Sequence, residues 1–180
     1  LHIHLQLLER HIKAGGCDKD GLELLSVASK EVERLDRIIS QFLQAVRSVK
    51  PAFGSVDLKK IVLETLSFMK HEIAERGIKA HCEFQETLPS VMGDDTQLRQ
   101  AFYNLVRNAV QTMPDEGSLI IEVSSDEDSI LMSISDTGAG IEPSDMARIF
   151  EPYFTTKRGG SGLGLMIVER IVREHGASIS

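Results

Sequence analysis

The chain has 180 residues, enough for one large domain or a smaller domain with an appendage. With 42% hydrophobic residues it can bury a core, which excludes a disordered chain, and its net charge of −7 argues against a general nucleic-acid binder. No apolar run approaches the ~20 residues that cross a bilayer and no signal peptide opens the chain, so a soluble, cytoplasmic segment is expected, with no membrane contact of its own.

The chain begins at Leu1 in the middle of a pattern, without a methionine, and reads as an excerpt whose parent protein could carry a membrane anchor elsewhere. Leu1, Leu5, Leu8 and Ile12 have helical spacing, which Gly15-Gly16 breaks. Cys17, in the polar stretch that follows, and Cys82 have no CxxC or histidine-rich context and read as free thiols. Asp20 with Glu23 offers a capping box for a second helix. Along it Leu25, Ala28, Val32, Leu35, Ile39, Phe42, Val46 and Val49 are spaced three and four apart in turn, a heptad seam. Residues 1–50 are therefore expected to form a helical hairpin, truncated at its start, that pairs with a second copy into a four-helix bundle. The alternative is a hairpin folded back on its own globular domain.

Residues 51–180 have a different rhythm. Asp57–Arg76 predicts a helix stopped by Gly77, and Ile78–Phe84 alternates as a strand. Asp94 with Gln97 predicts a capped helix running to Met113, where Pro114 and Gly117 end it. Ser118–Val123 and Ile130–Ser135 read as strands joined by a turn at Ser125–Ser129. A Gly-rich irregular stretch over Thr137–Ser161 precedes a helix from about Gly162 to His175, which Gly176 ends before a last strand. The fold class expected is α+β, with helices on one face of a mixed sheet. This second domain is expected to be truncated at its end as well.

Three segments could carry chemistry. Asn104 and Asn108 lie four apart on one helix face, and an amide oxygen is a hard ligand suited to Mg²⁺; a plain polar surface has the same look. Asp136-Thr137-Gly138-Ala139-Gly140 follows a strand, where a carboxylate can accept from an exocyclic amine beside close-approaching backbone, or simply close a tight turn. Gly159-Gly160-Ser161-Gly162-Leu163-Gly164-Leu165 leads into a helix whose free amides favour phosphate oxygens, with Lys157 and Arg158 just before it; an ordinary flexible loop has the same composition. No P-loop spacing is present.

In this order and spacing the segments resemble the histidine-kinase branch of the ATPase superfamily shared with gyrase, MutL and a major heat-shock chaperone. Asn104-Leu-Val-Arg-Asn108-Ala109 is similar to that family's N box. Asp136-Thr-Gly-Ala-Gly140-Ile141 is similar to its first G box, Phe150-Glu-Pro-Tyr-Phe154-Thr-Thr-Lys157 to its F box, and Gly160-Ser-Gly-Leu-Gly164-Leu165 to its second G box. The resemblance covers essentially the whole chain. It implies an ATP-dependent protein-histidine kinase that passes a γ-phosphoryl group to a histidine, for relay to an aspartate on a response-regulator receiver domain. Asn108 would hold Mg²⁺, Asn104 would support the metal or phosphate shell, and Lys157 would act with them as a catalytic group. Asp136 would read adenine, with Gly138, Gly140 and Ile141 beside the base. Gly160, Gly162 and Gly164 would close over the phosphates, Thr156, Lys157, Ser161 and Leu163 are expected to bind the nucleotide with them, and Phe150 and Phe154 would anchor the ATP lid within Thr137–Ser161. Arg107 and Gln111 flank the N box, where they would touch phosphates or line an exposed helix face.

There is one departure from the family pattern. The accepting histidine of that family is followed by an acidic residue and then a proline, and neither His2 nor His4 has that context. The acceptor is expected upstream of Leu1, and the chain is not expected to phosphorylate itself. Two other readings are an ATP hydrolase of the gyrase or chaperone type and a non-catalytic, anti-sigma-like adaptor. Hydrolysis calls for a general base to activate water, whereas Asn104 stands where a carboxylate would serve, and every box residue is present, which places the adaptor last.

Overall fold

The computed structural model describes residues 50–157 and 160–180, together with residues 23, 25–32 and 35. The chain divides between Ser48 and Val49 into two compact units. In the first, residues 25–32 are helical; of the seam positions Ala28 is buried, while Leu25 and Val32 are 50% and 53% exposed. The helix from Leu1 to Ile12, the Gly15-Gly16 break, Asp20 and the seam from Ile39 to Val49 lie outside the described residues, and with them the hairpin. Among the described residues no helix is long and apolar enough to cross a membrane.

The second unit opens with β1 (Gly54–Val56), then α1 (Leu58–Phe68) and α2 (Lys70–Glu75). Asp57 starts α1 by accepting the Lys60 amide at 3.1 Å, the usual role of an aspartate at a helix N-cap. The single helix expected over Asp57–Arg76 is interrupted at Met69, where ψ is 2°. The i→i−4 bonds Met69 N–H to Thr65 O and Ile73 N–H to Met69 O still run through the break, so it is a local distortion rather than a turn. Gly77 ends α2, and β2 (Lys79–Phe84) follows.

After β2 come β3 (Val91–Gly93), α3 (Asp95–Thr112), β4 (Ser118–Ser125), β5 (Ile130–Asp136) and α4 (Gly164–Glu174). β2, β4 and β5 make a three-stranded mixed sheet in which β2 runs parallel to β4, and β4 antiparallel to β5. A separate ribbon pairs β1 with β3, Ser55 opposite Met92; neither strand was expected. The strand expected after Gly176 is absent, and residues 177–180 carry no regular structure.

β4 alternates strictly. Leu119, Ile121 and Val123 are buried to within 1%, while Ile120, Glu122 and Ser124 face out. The inner row meets Ile61 and Val62 of α1 and Phe102, Val106 and Val110 of α3 in one core, and α4 packs on α3 through Ile167, Val168 and Ile171. Residues of α1, α2 and α3 therefore share one core with the inner row of β4, and α4 is packed on α3. Each fully buried aliphatic side chain here contributes about 1.5–3 kcal/mol, so this row, rather than the polar helix face described below, holds the domain together.

The end of α3 is held from outside. Its last carbonyls have no intrahelical partner. The Arg76 guanidinium donates to Val110 O and, at 2.7 Å, to Met113 O, and its Nε pairs with Asp115. A cation at a helix C-terminus also meets the favourable end of the helix dipole.

Candidate nucleotide site

α3 presents Asn104, Arg107, Asn108 and Gln111 at i, i+3, i+4 and i+7, one stripe opposite the buried Phe102, Val106 and Val110. Gln111 is exposed, and the other three are half-buried. The Asn104 Nδ2 group is buried without a protein acceptor. Such a donor costs about 1–3 kcal/mol until something accepts its hydrogens, so an oxygen-bearing group that reached it would be favoured.

The start of α3 is fixed by Asp94. Its carboxylate accepts the Gln97 amide at 3.0 Å and the Ala52 amide at 2.7 Å. The expected capping box is completed differently. Gln97 Oε1 is buried without a partner, and the Asp94 amide donates instead to His175 Nε2 at 2.9 Å. His175 Nδ1, which lies 2.8 Å from Ile171 O, therefore carries the proton. Burial works to raise the Asp94 pKa, but the amides of Gln97, Ala52 and Thr96 together hold it below the usual carboxylate range. The cap's contribution is thus complete at neutral pH and is lost only as acid protonates that carboxylate. This cluster ties the start of the N-box helix to the end of α4 and to the chain entering β1.

Asp136 is the last residue of β5, at the sheet end nearest the C-terminus of α3. One carboxylate oxygen accepts the Gly138 amide at 2.7 Å, and the other has no hydrogen-bond partner among the described residues. A Cβ on Gly138 would come within 2.6 Å of that carboxylate and 3.1 Å of the Thr112 carbonyl, so only glycine lets the loop lie against α3 here. Gly140 and Ile141 follow on the surface, with Ile141 47% exposed.

The segment expected to carry the lid turns in i→i+3 steps from Glu142 through Asp145 and Arg148 to Glu151. Phe150 and Phe154 are half-buried, and the Arg148 guanidinium lies 4.4 Å over the Phe154 ring. At the base, Tyr153 N–H donates to Gly162 O at 3.1 Å, both residues with φ near +66°. Leu163, 1% exposed, plugs the core below, and Gly164 opens α4 with nothing near its Cβ position. Ser161 caps locally, its Oγ 3.4 Å from the Leu163 amide, and Gly160 donates to Lys157 O. Thr156 is exposed; Arg158 and Gly159 lie outside the described residues.

Lys157 closes the circle. Its ammonium donates to Asn108 Oδ1 and, at 3.1 Å, to Asn108 O, across 49 residues of chain. Burial lowers its pKa, Arg107 beside it adds to the effect, and the Asp136 carboxylate opposes it. The lid lysine, the N-box amide and the first G-box carboxylate thereby share one electrostatic neighbourhood, with Arg107 on its rim. Among the described residues Gln111, Thr156, Gly140 and Ile141 are exposed and make no bond to this group. Among the described residues no three of His, Cys, Asp and Glu come together as a metal cluster, so a divalent ion here would depend on amide oxygen, water and ligand phosphates. The 450 Å³ concavity beside Glu83, Glu122 and Leu131 lies on the outer sheet face and belongs to none of this.

His175 is the functional-region residue that sequence reasoning missed. Only its position just before the helix-ending Gly176 marked it, and nothing local connects it with Asp94.

Comparisons with known proteins agree with the geometry. Residues 93–180 match the family described as histidine kinase-, DNA gyrase B-, and HSP90-like ATPase. Sensor histidine kinase ZraS of Salmonella typhi is 34% identical over 167 residues, 92% of this chain but 35% of that protein. The chain thus spans about a third of the length of such curated relatives. The nucleotide-free catalytic domain of histidine kinase ThkA superposes with a TM-score of 0.64 at 28% identity, covering 68% of this chain and 81% of that one. ThkA in complex with response regulator protein TrrA gives a TM-score of 0.77 at 22% identity, over 97% of this chain and 52% of that one, which speaks for the fold alone. Residues 93–180, which hold Asn104, Asn108, Asp136 and the glycines before α4, thus carry the match to the histidine kinase-, DNA gyrase B- and HSP90-like ATPase family, and the curated relatives that the chain resembles are sensor histidine kinases.

Proposed function

We propose that the chain is the ATP-binding catalytic core of a sensor histidine kinase, and that it directs the γ-phosphoryl of ATP to a histidine imidazole for relay to a response-regulator aspartate. The observation that carries this is the bond from Lys157 to Asn108, one helical turn along α3 from the unpartnered Asn104 donor, with the Asp136 carboxylate acting on the same lysine. Phosphoryl transfer asks mainly for positioning and charge neutralisation, and these residues offer both. Mg²⁺ fits the site: Asn108 Oδ1 already faces a cationic group, and when bound the metal would neutralise charge on the phosphates. Asn104 is no base, which favours transfer to an imidazole that brings its own lone pair over activation of water. Asp136 would orient adenine, Lys157 and Arg107 would draw the phosphate chain, and Gly160, Ser161 and Gly162 would bring backbone amides to it.

Asp136→Asn tests the base-reading role. It exchanges a charged acceptor for an amide at an exposed position, so adenine nucleotides should weaken about tenfold or more while guanine nucleotides change little. Equal losses for both would contradict the role.

The same reading places the chain in the cytoplasm as a homodimer joined through the helical hairpin. Exposure of Leu25, Val32 and Leu35 along the seam supports a partner helix. A charge at Ile39 or Phe42 should separate the copies, and light scattering that reports a monomer for the unaltered chain would contradict the bundle.

A further inference from the structure

Arg76 contributes nothing to the nucleotide cradle itself, yet its guanidinium converges on the turn that ends the N-box helix. We propose that Arg76 is a positioning residue for adenine recognition. It fixes the connection from α3 to β4, and that connection sets the Asp136-Thr137-Gly138 turn. The inference rests on the proposed function, because it takes Asp136 as the reader of the base.

The helix end needs an outside donor. Val110 O would ordinarily accept from the residue four places on, but that residue is Pro114, which has no N–H. Arg76 Nη1 donates there instead, Nη2 donates to Met113 O at 2.7 Å, and Nε reaches Asp115 Oδ1 at 3.4 Å. The backbone repeats the clamp: Glu116 N–H donates to Arg76 O, and Lys79 N–H to Gly117 O, each at 2.8 Å. Gly117 is buried, and a Cβ there would stand 2.9 Å from Met113 Sδ and 3.2 Å from Thr137 Oγ1. The connection therefore lies directly against the residue that follows Asp136. Ser118 and Thr137 then bond twice, Ser118 N–H donating to Thr137 Oγ1 at 2.9 Å and Thr137 N–H to Ser118 O at 3.1 Å. On the other side of the turn, Gly138 rests on the Thr112 carbonyl, in the last turn of α3. The Asp136 carboxylate thus has two supports, the end of α3 under Gly138 and the Ser118–Thr137 pair, and Arg76 braces both. A guanidinium suits this task because its fork serves two carbonyls and a carboxylate at fixed angles, whereas a lysine ammonium is a single point on a flexible stem. Asn104 lies almost two turns further into α3, so slackening at Arg76 falls on the base end of the site.

The test measures ATP, ADP and GTP affinities, together with melting temperatures, for wild type, Arg76→Met and Arg76→Lys. Val62→Ala, a core change in α1, serves as the variant that lowers stability without touching the clamp. Arg76→Met should weaken ATP and ADP alike, by about fivefold, and leave GTP nearly unmoved, so that the preference for adenine narrows by the same factor. Arg76→Lys keeps the charge but not the fork and should narrow the preference as well; it decides the question if Arg76→Met does not fold. Val62→Ala should keep the wild-type preference at any temperature where it is folded, because a general loss of stability does not act on the choice of base. A wild-type preference in both Arg76 variants, or an equal narrowing in Val62→Ala, would overturn the proposal and leave Arg76 a plain helix cap. Wild type that binds no ATP, or binds GTP equally well, would mark failure of the kinase reading itself and remove the positioning role with it.

Discussion

Asn108→Ala should weaken Mg²⁺-dependent ATP binding about tenfold or more, the scale of one lost bond to a charged group, and leave the melting temperature almost unmoved. The asymmetry follows from the helix. Asn108 lies on the polar stripe of α3, and the core face is carried by Phe102, Val106 and Val110, none more than 3% exposed. Truncating Asn108 leaves that face intact and removes one partly exposed hydrogen bond to Lys157, a change of about 1 kcal/mol. Nucleotide binding loses the amide oxygen offered to the metal. Asn108→Asp retains an oxygen donor but adds charge, and should keep more of the Mg²⁺ dependence than the alanine variant. Thermal melts and metal titrations on the same preparations check both halves. A collapse in melting temperature would make Asn108 a structural residue.

Gly162→Val should abolish a closed lid without unfolding the domain. At φ +66° a side chain at Gly162 is strained whatever the space, about 1–2 kcal/mol for the left-handed region alone. Here there is no space: a Cβ would stand 2.4 Å from the Tyr153 carbonyl carbon and 2.7 Å from the Phe154 nitrogen. These are backbone atoms, so relief requires the lid strand to leave α4 and the Tyr153–Gly162 bond to break. ATP affinity should fall about tenfold or more and protease cleavage between Glu151 and Lys157 should accelerate, as expected when a local segment opens. Gly164→Ala is the control, since a Cβ there meets nothing within 4 Å. Wild-type affinity and cleavage in Gly162→Val would show that the close approach has no part in the site.

Where periodicity is long, the fold was legible. α3 shows eighteen residues of helical rhythm behind an Asp94 cap, and β4 shows an unbroken in-and-out alternation. β1 and β3 are three residues each, too short for any period to register, and only their pairing makes them strands. The strand expected after Gly176 rested on an equally short alternation and did not form. The interruption at Met69 has no marker, because neither glycine nor proline stands there. In the site, the glycine-rich segments and the asparagine pair were legible by type and order. What joins them was not. Lys157 meets Asn108 from 49 residues away, Arg76 reaches Val110 and Met113 from the preceding helix, and His175 completes a cap 81 residues earlier. Long polar side chains make these bonds across chain separations that no local pattern encodes.

The central claim is that this cradle binds ATP with the help of a divalent ion. Calorimetric titration of ATP into the purified, folded chain, with and without Mg²⁺ and with GTP in parallel, tests it most directly. The account predicts one saturable ATP site per chain, tightened by Mg²⁺ and much weaker for GTP. Folded protein that takes up no ATP under either condition, or that binds GTP equally well, would contradict it.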